Sequence, residues 1–187
     1  MPSSIAIAEL DADAVLGREQ VEIEGLWRLV HPETPDERFS EILPRHARRR
    51  GFRFLAARTD DRTLAGFAYG YLGGPGEWWH DHVAAALGPE LTRRWLSPGH
   101  FEFAELQVRP ELRRRGIGIR LHDALLAGLA SPTAALSTQR DNSPAIALYG
   151  GRGWRVILDE ILFGEGEPRF LIMGLDLHAG SDPGSKE

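Results

Sequence analysis

The sequence of 187 residues contains no cysteine, and Lys186 is the only lysine among its 22 basic residues. Without cysteine the chain can form no disulfide, no cysteine-ligated zinc or iron–sulfur site and no thiol nucleophile. Lys186 stands in a polar C-terminal stretch, so neither a Schiff-base lysine nor the lysine of a P-loop NTPase is expected. Any phosphate group that binds this chain must therefore be held by arginine, by backbone N–H groups or by a metal ion.

Acidic residues exceed basic ones, with 27 Asp and Glu against 22 Lys and Arg and a net charge of −5. Such a chain lacks the overall attraction for nucleic acid that a basic surface provides, so no nucleic-acid partner is expected. No apolar run approaches the roughly 18 residues of a membrane span, and no basic leader precedes an apolar stretch. We therefore expect a cytoplasmic protein with no membrane partner. The 7 histidines are dispersed, so no metal site is predicted.

The length predicts one domain over residues 1–177, and the polar residues 178–187 are expected to form a disordered tail. Apolar spacing predicts strands near residues 5–10, 52–58, 64–71, 101–108, 134–138, 154–158 and 170–177. Helices are predicted over 12–30, with Asp11 as the N-cap, and over 35–50, 82–96, 116–130 and 143–151. This order of elements indicates a mixed α/β (α+β) fold class.

One loop has the composition of an anion-binding site. It follows the strand over 101–108, leads into a helix, and ends in Arg113, Arg114, Arg115, Gly116, Ile117 and Gly118. Glycine lets a backbone approach a ligand closely, the first N–H groups of a helix are unpaired, and arginine adds positive charge. A pyrophosphate suits this loop, although a dinucleotide-binding turn is disfavoured because Leu121 stands where that fingerprint has its third glycine. The alternatives are an exposed arginine run without a ligand, or a nucleic-acid patch.

Two signatures resemble those of the GNAT N-acetyltransferase superfamily. The first is the spacing Val108-x-Pro110-x-x-Arg113-x-x-Gly116-x-Gly118, which looks like its acyl-CoA pyrophosphate motif. The second begins at Asn142, continues through Leu148-Tyr149 and ends at Gly153-Trp154. Their order and spacing match the superfamily, and the resemblance is specific from about residue 101 to residue 156.

The resemblance implies a single-domain acyl-CoA acyltransferase fold, in which two strands of a mixed central sheet, here 101–108 and 134–138, splay apart. It also implies acetyl-CoA, or another acyl-CoA, as co-substrate, with its pyrophosphate on the Arg113–Gly118 loop. The backbone of Leu106 and Val108 would then pair with the pantetheine arm.

Further roles are implied for the second signature. Asn142 would bond the arm of the cofactor or fix the following helix, and Ala145 would be a further cofactor contact. Tyr149 would reach the thioester sulfur and act as the general acid. A homodimer is common among proteins of this resemblance, so one is an open prediction.

The general base has two carboxylate candidates, Glu102 and Glu105. Some members of the superfamily carry a glutamate on the second splayed strand, but Ser137 stands at that position here. Strict alternation along a strand places Glu102 and Glu105 on opposite faces, so only one of them is expected to face the reacting groups. An ordered water that relays the proton is the third possibility.

The acceptor site is expected near the insert over residues 73–81, where Tyr71, Trp78 and Trp79 would form an aromatic wall, or where both tryptophans instead cap the core. We expect an N-acetyltransferase that passes the acetyl group directly from acetyl-CoA to an amine of a small molecule or peptide. The alternative is an acyl-CoA-binding or sensing module with little or no turnover.

Overall fold

The computed structural model describes residues 4–34, 37–96 and 99–178. Residues 179–187 of the expected tail lie outside the described residues. The chain divides into two compact units: unit 1 consists of Met1–Tyr71 and Ala104–Gly128, and unit 2 of Leu72–Phe103 and Leu129–Glu187. One domain over residues 1–177 stays a prediction.

Seven strands form a mixed sheet in the order β1-β2-β3-β4-β5-β7-β6. The elements are, in chain order, β1 (Ile5–Leu10), α1 (Ala12–Leu16), α2 (Gln20–Val30), α3 (Glu37–Ala47), β2 (Arg53–Thr59), β3 (Leu64–Leu72), α4 (Trp78–Trp95), β4 (Phe101–Val108), α5 (Ile117–Leu126), β5 (Thr133–Gln139), α6 (Ser143–Gly150), β6 (Arg155–Ile161) and β7 (Phe170–Asp176). The predicted mixed α/β class is therefore confirmed. The predicted bounds of β4 match those observed.

Unit 1 is built on antiparallel pairing of β1 with β2 and of β2 with β3. Its core is rich in aromatic rings, among them Trp27 stacked on Phe39 at 4.9 Å and Phe54 stacked on Phe67 at 5.3 Å. Offset ring pairs of this kind stabilise a core beyond the apolar area that they bury. The helices α1 to α3 therefore have a large apolar surface on which to pack.

The helix predicted over residues 12–30 is wrong in its length, because α1 ends before Gly17 and α2 begins at Gln20. Asp11 is the predicted N-cap, and its Oδ1 accepts the Ala14 N–H at 2.8 Å. Gly17 has φ −111° and ψ −109°, which is outside the helical region. Glycine gives up the most conformational freedom in a helix, so a break there is the least costly.

Unit 2 contains the antiparallel pairs β5 with β7 and β6 with β7, and parallel pairing of Phe101–Glu102 in β4 with Ala134–Ala135 in β5. Its helix α4 starts at Trp78, four residues before the predicted position, and kinks at Gly88 with φ 77°. The proline that follows, Pro89, cannot donate the N–H that a continuous helix requires there.

Gly174→Ala should lower the free energy of unfolding by about 1–3 kcal/mol, because a Cβ added to Gly174 would lie 2.5 Å from Cε3 of the Trp95 ring. Urea unfolding of the purified protein measures this loss. Gly25→Ala on α2 is the matched control, since its Cβ would meet nothing within 4 Å, and it should leave stability unchanged or raise it by up to about 1 kcal/mol. Equal stability of the two variants would contradict the close approach.

Candidate functional site

The loop after β4 has a backbone arranged to receive an anion. Arg114 has φ 61° and Gly116 has φ 77°, both in the left-handed region. Gly116 directly precedes α5 and provides no side-chain cap for its first N–H groups. A Cβ at Gly116 would meet nothing within 4 Å, so open space lies beside the start of the helix. Oxygen atoms of a phosphate fit such a position at the positive end of the helix dipole.

The three arginines of this loop are exposed. Arg113 is tied to the strand, because its Nε donates to the Val108 carbonyl at 3.2 Å. The Ile117 side chain is buried in unit 1 while its backbone starts α5, which anchors the loop to the core. The structure thus brings together the predicted pyrophosphate residues Arg113, Arg114, Arg115, Gly116, Ile117 and Gly118, which follow Leu106 and Val108 on β4.

Glu105 lies on β4 within unit 1, partly buried and held by two hydrogen bonds. Trp27 Nε1 donates to Glu105 Oε1 at 3.4 Å, and Gln107 Nε2 donates to Glu105 Oε2 at 2.6 Å. Burial raises the pKa of the Glu105 carboxyl to about 7, although both hydrogen bonds and the charge of Arg38 act to lower it. A carboxyl with this pKa can take up a proton at neutral pH.

The network around Glu105 continues to His31, at the end of α2. Gln107 Nε2 lies 2.9 Å from His31 Nε2, and the rings of His31 and Trp27 are 4.6 Å apart. Burial, followed by the charge of Arg113, lowers the pKa of His31, which favours the neutral ring. Sequence reasoning missed Trp27, His31 and Gln107.

A weak signal for these three residues exists in the sequence. Glu105 and Gln107 are two apart on a strand and so share a face. Trp27 and His31 are four apart along α2 and so lie one above the other. Neither spacing indicates that Trp27 and His31 lie beside Glu105 and Gln107 in the folded protein.

The other candidate base, Glu102, is 5% exposed and lies in unit 2, in the part of β4 that pairs with β5. Its neighbour across the ladder is Ala135. The two glutamates of β4 therefore have different surroundings.

Tyr149 lies near the end of α6 in an aromatic cluster of unit 2 and is 8% exposed. Its ring contacts Phe103 edge-on at 5.9 Å and lies 5.7 Å from Trp154. Asn142 precedes this helix, and its Oδ1 accepts the Ala145 N–H at 3.2 Å. Of the two roles considered for Asn142, the structure shows that of fixing the helix.

The three residues of the predicted aromatic wall belong to different units: Trp78 and Trp79 to unit 2, and Tyr71 to unit 1. Trp78 is 54% exposed at the start of α4, with its ring 5.4 Å from that of Phe163. Trp79 packs against the core of unit 2 and donates from Nε1 to Ser137 Oγ at 3.2 Å. Tyr71 is instead a core residue of unit 1, 1% exposed, with its hydroxyl 3.3 Å from His46 Nε2.

Among residues 4–34, 37–96 and 99–178, no group of three or more His, Asp or Glu side chains is placed to hold a metal ion. No helix in that same part of the chain is long and apolar enough to cross a membrane.

The sequence is similar to that of a curated protein of Mycobacterium tuberculosis, a GCN5-like protein acetyltransferase, with 36% identity over 130 residues. The aligned region is 65% of this chain and 63% of that protein, so the chain spans less than two thirds of its relative.

Solved structures share the fold. An acetyltransferase of the GNAT family from Staphylococcus aureus Mu50 superposes with a TM-score of 0.65 at 12% identity, over 93% of this chain and 99% of that one. The PaiA N-acetyltransferase of Thermoplasma acidophilum, solved in complex with coenzyme A, gives a TM-score of 0.56 at 17% identity over 92% and 99%.

A model of the acetyltransferase (GNAT) family matches residues 22–154, which include most of α2, the Arg113–Gly118 loop and Tyr149. The chain belongs to the GNAT acetyltransferase family.

Proposed function

We propose that this protein transfers the acetyl group of acetyl-CoA to an amine of a peptide or protein. Family membership supports the acetyl transfer, and the 36% identical relative, named a protein acetyltransferase, supports the class of acceptor. The observation that carries the proposal is the Glu105 carboxyl, whose pKa is raised to about 7 by burial. It stands on the strand that leads into the anion-binding loop.

Glu105 takes the role of general base. A free alkyl amine has a pKa of about 10.4 and is mostly protonated at neutral pH, so it must lose a proton to attack a thioester. A base with a pKa near the working pH combines a large ionised fraction with adequate proton affinity. The raised pKa of Glu105 and its two hydrogen bonds support this role, and Glu102 stays the alternative base.

The Arg113–Gly118 loop takes the role of cofactor site, because its open backbone at Gly116 and its exposed arginines fit a pyrophosphate. Acetyl-CoA supplies the activated acetyl group when bound. Val108 and Leu106 offer backbone groups to the pantetheine arm.

Tyr149 takes the role of general acid. The ammonium form of the acceptor first gives one proton to Glu105, and the neutral amine then attacks, so that an N–C bond forms and the C–S bond breaks. The phenol gives its proton to the departing sulfur and regains one from the attacking nitrogen, which must lose a second proton to become an amide. The proton on Glu105 returns to solvent. A thiol has a pKa of about 8.5 and a phenol one of about 10, so this donation is uphill by only about 2 kcal/mol. Cysteine and a suitably placed lysine, the two usual covalent acyl carriers, are lacking, so direct transfer of the acetyl group is part of the proposal.

Thiol release from acetyl-CoA tests the proposal across four acceptors: a peptide with a free α-amine, a lysine peptide with a blocked N-terminus, a polyamine and an aminoglycoside. We expect release with at least one peptide. Release with the polyamine or aminoglycoside alone would overturn the acceptor class. Saturable acetyl-CoA binding without release from any acceptor would favour the binding or sensing module.

Two variants at Gly116 test whether the Arg113–Gly118 loop binds the pyrophosphate of acetyl-CoA. Gly116→Asp places a negative charge beside the loop and should raise the acetyl-CoA KM about tenfold or more. Gly116→Asn has the same size, tolerates a left-handed backbone and carries no charge, so its KM should stay within about threefold of wild type. Acetyl-CoA should raise the Tm of Gly116→Asn about as much as that of wild type, and the Tm of Gly116→Asp by less. Equal KM values for both variants would contradict the pyrophosphate assignment.

A further inference from the structure

The side chain of Gln107 joins Glu105 to His31 through one nitrogen atom. Gln107 is 9% exposed, and its Nε2 lies 2.6 Å from Glu105 Oε2 and 2.9 Å from His31 Nε2. An amide NH₂ group carries two hydrogens, so it can donate to the carboxylate and to the imidazole at once.

This double donation sets the orientation of the amide. If the amide were reversed, its carbonyl oxygen would face a carboxylate oxygen and an imidazole lone pair, with no hydrogen available for either contact. The observed orientation is therefore favoured while Glu105 is ionised and His31 Nε2 carries no proton. Only a proton on both partners would give the reversed amide a hydrogen for each contact.

We propose that Gln107 is a positioning residue for Glu105, held in its donor orientation by His31, and that this arrangement favours the carboxylate form of Glu105. The assignment of Glu105 as base, to which this role refers, rests on the proposed function. The hydrogen bonds themselves do not.

The groups around Glu105 and His31 each shift the pKa of one of these two residues in a defined direction. Glu105 accepts hydrogen bonds from Trp27 of α2 and from Gln107 on its own strand, and the charge of Arg38 in α3 acts on it. His31, the residue after α2, contacts Gln107. Burial, followed by the charge of Arg113 after β4, lowers the pKa of His31, which favours the neutral ring whose Nε2 can accept from Gln107. Since Gln107 lowers the pKa of Glu105, its loss must raise it.

Carbon-13 NMR titration of the side-chain carboxyls in the full-length protein, without acceptor, tests the role of Gln107. The Glu105 signal is assigned by its absence in Glu105→Gln. Gln107→Leu should raise the Glu105 midpoint by about one pH unit, because a charge-assisted hydrogen bond is lost. Gln107→Glu should raise it further, since two neighbouring carboxylates cannot both ionise freely. His31→Phe, which keeps a ring beside Trp27, should shift the midpoint in the same direction by less.

The matched control is Gln20→Leu, which removes the 2.8 Å hydrogen bond from Gln20 Nε2 to Glu24 Oε1 on α2 and should leave the Glu105 midpoint unchanged. The acidic limb of kcat/KM should move with the midpoint in each variant. A midpoint in Gln107→Leu and Gln107→Glu within about 0.3 units of wild type would overturn the positioning role. A shifted midpoint in a protein that acetylates none of the four acceptors would support the positioning role while the proposed function fails.

Discussion

Tyr149→Phe should lower kcat by about 10²–10⁴-fold, because the variant removes the phenol that protonates the departing thiolate. The ring itself stays, so its contacts with Phe103 and Trp154 at 5.9 and 5.7 Å are kept and the fold should be unaffected. Steady-state thiol release with the best peptide acceptor measures the change. The KM for acetyl-CoA should change little, since the hydroxyl acts on the reaction and not on the pyrophosphate.

Tyr69→Phe provides the matched control for this variant. Tyr69 is fully buried in unit 1, and its hydroxyl lies 3.1 Å from His46 Nδ1. Removing that hydroxyl should cost about 1 kcal/mol of stability and leave kcat unchanged. If Tyr149→Phe turns over like wild type, the general acid is another group or water.

Glu105→Gln should lower kcat/KM by about 10²–10⁴-fold and remove the acidic limb of the pH profile. The base must be ionised to accept a proton, and burial raises the pKa of Glu105 to about 7. Wild-type kcat/KM should therefore rise with pH up to about 7 and level off above it. Glu102→Gln should keep that limb; if it loses the limb while Glu105→Gln keeps it, Glu102 is the base.

Stability provides an independent check on Glu105. Its pKa is raised from the usual 4.5 to about 7 in the folded state, so between these values the folded protein binds more protons than the unfolded chain. The free energy of unfolding should consequently fall as pH rises through this window. Above it, Glu105→Gln should unfold at equal or higher urea concentration than wild type, with a gain on the order of 1–3 kcal/mol. A large loss of stability would instead attribute the loss of activity to misfolding.

Several features of the fold follow from local sequence. The apolar residues of β4 are bounded by His100 and by Arg109-Pro110, which explains why its limits were predicted correctly. Asp11 caps a helix as its side chain and position indicate. The break at Gly17 was missed because the apolar spacing continues across it, and spacing alone carries no information on whether a turn is helical.

In the candidate site, too, local sequence predicts some features and leaves others undecided. Motif spacing predicts roles for the Arg113–Gly118 loop and for Tyr149, because a helix start and its preceding loop are contiguous in sequence. Motif spacing left Glu102 and Glu105 undecided, since the pKa of a carboxyl depends on what surrounds it in three dimensions.

Tertiary structure supplied those surroundings for Glu105. Trp27 is 78 residues away from Glu105 in sequence, and His31 is 76 residues away from Gln107. Packing of α2 within unit 1 brings these side chains to β4, where burial raises the pKa of Glu105 and the Gln107 amide donates to its carboxylate. The residue types and their local spacing thus predicted the candidate groups, whereas the raised pKa of Glu105 depends on burial, which arises only when distant segments pack together.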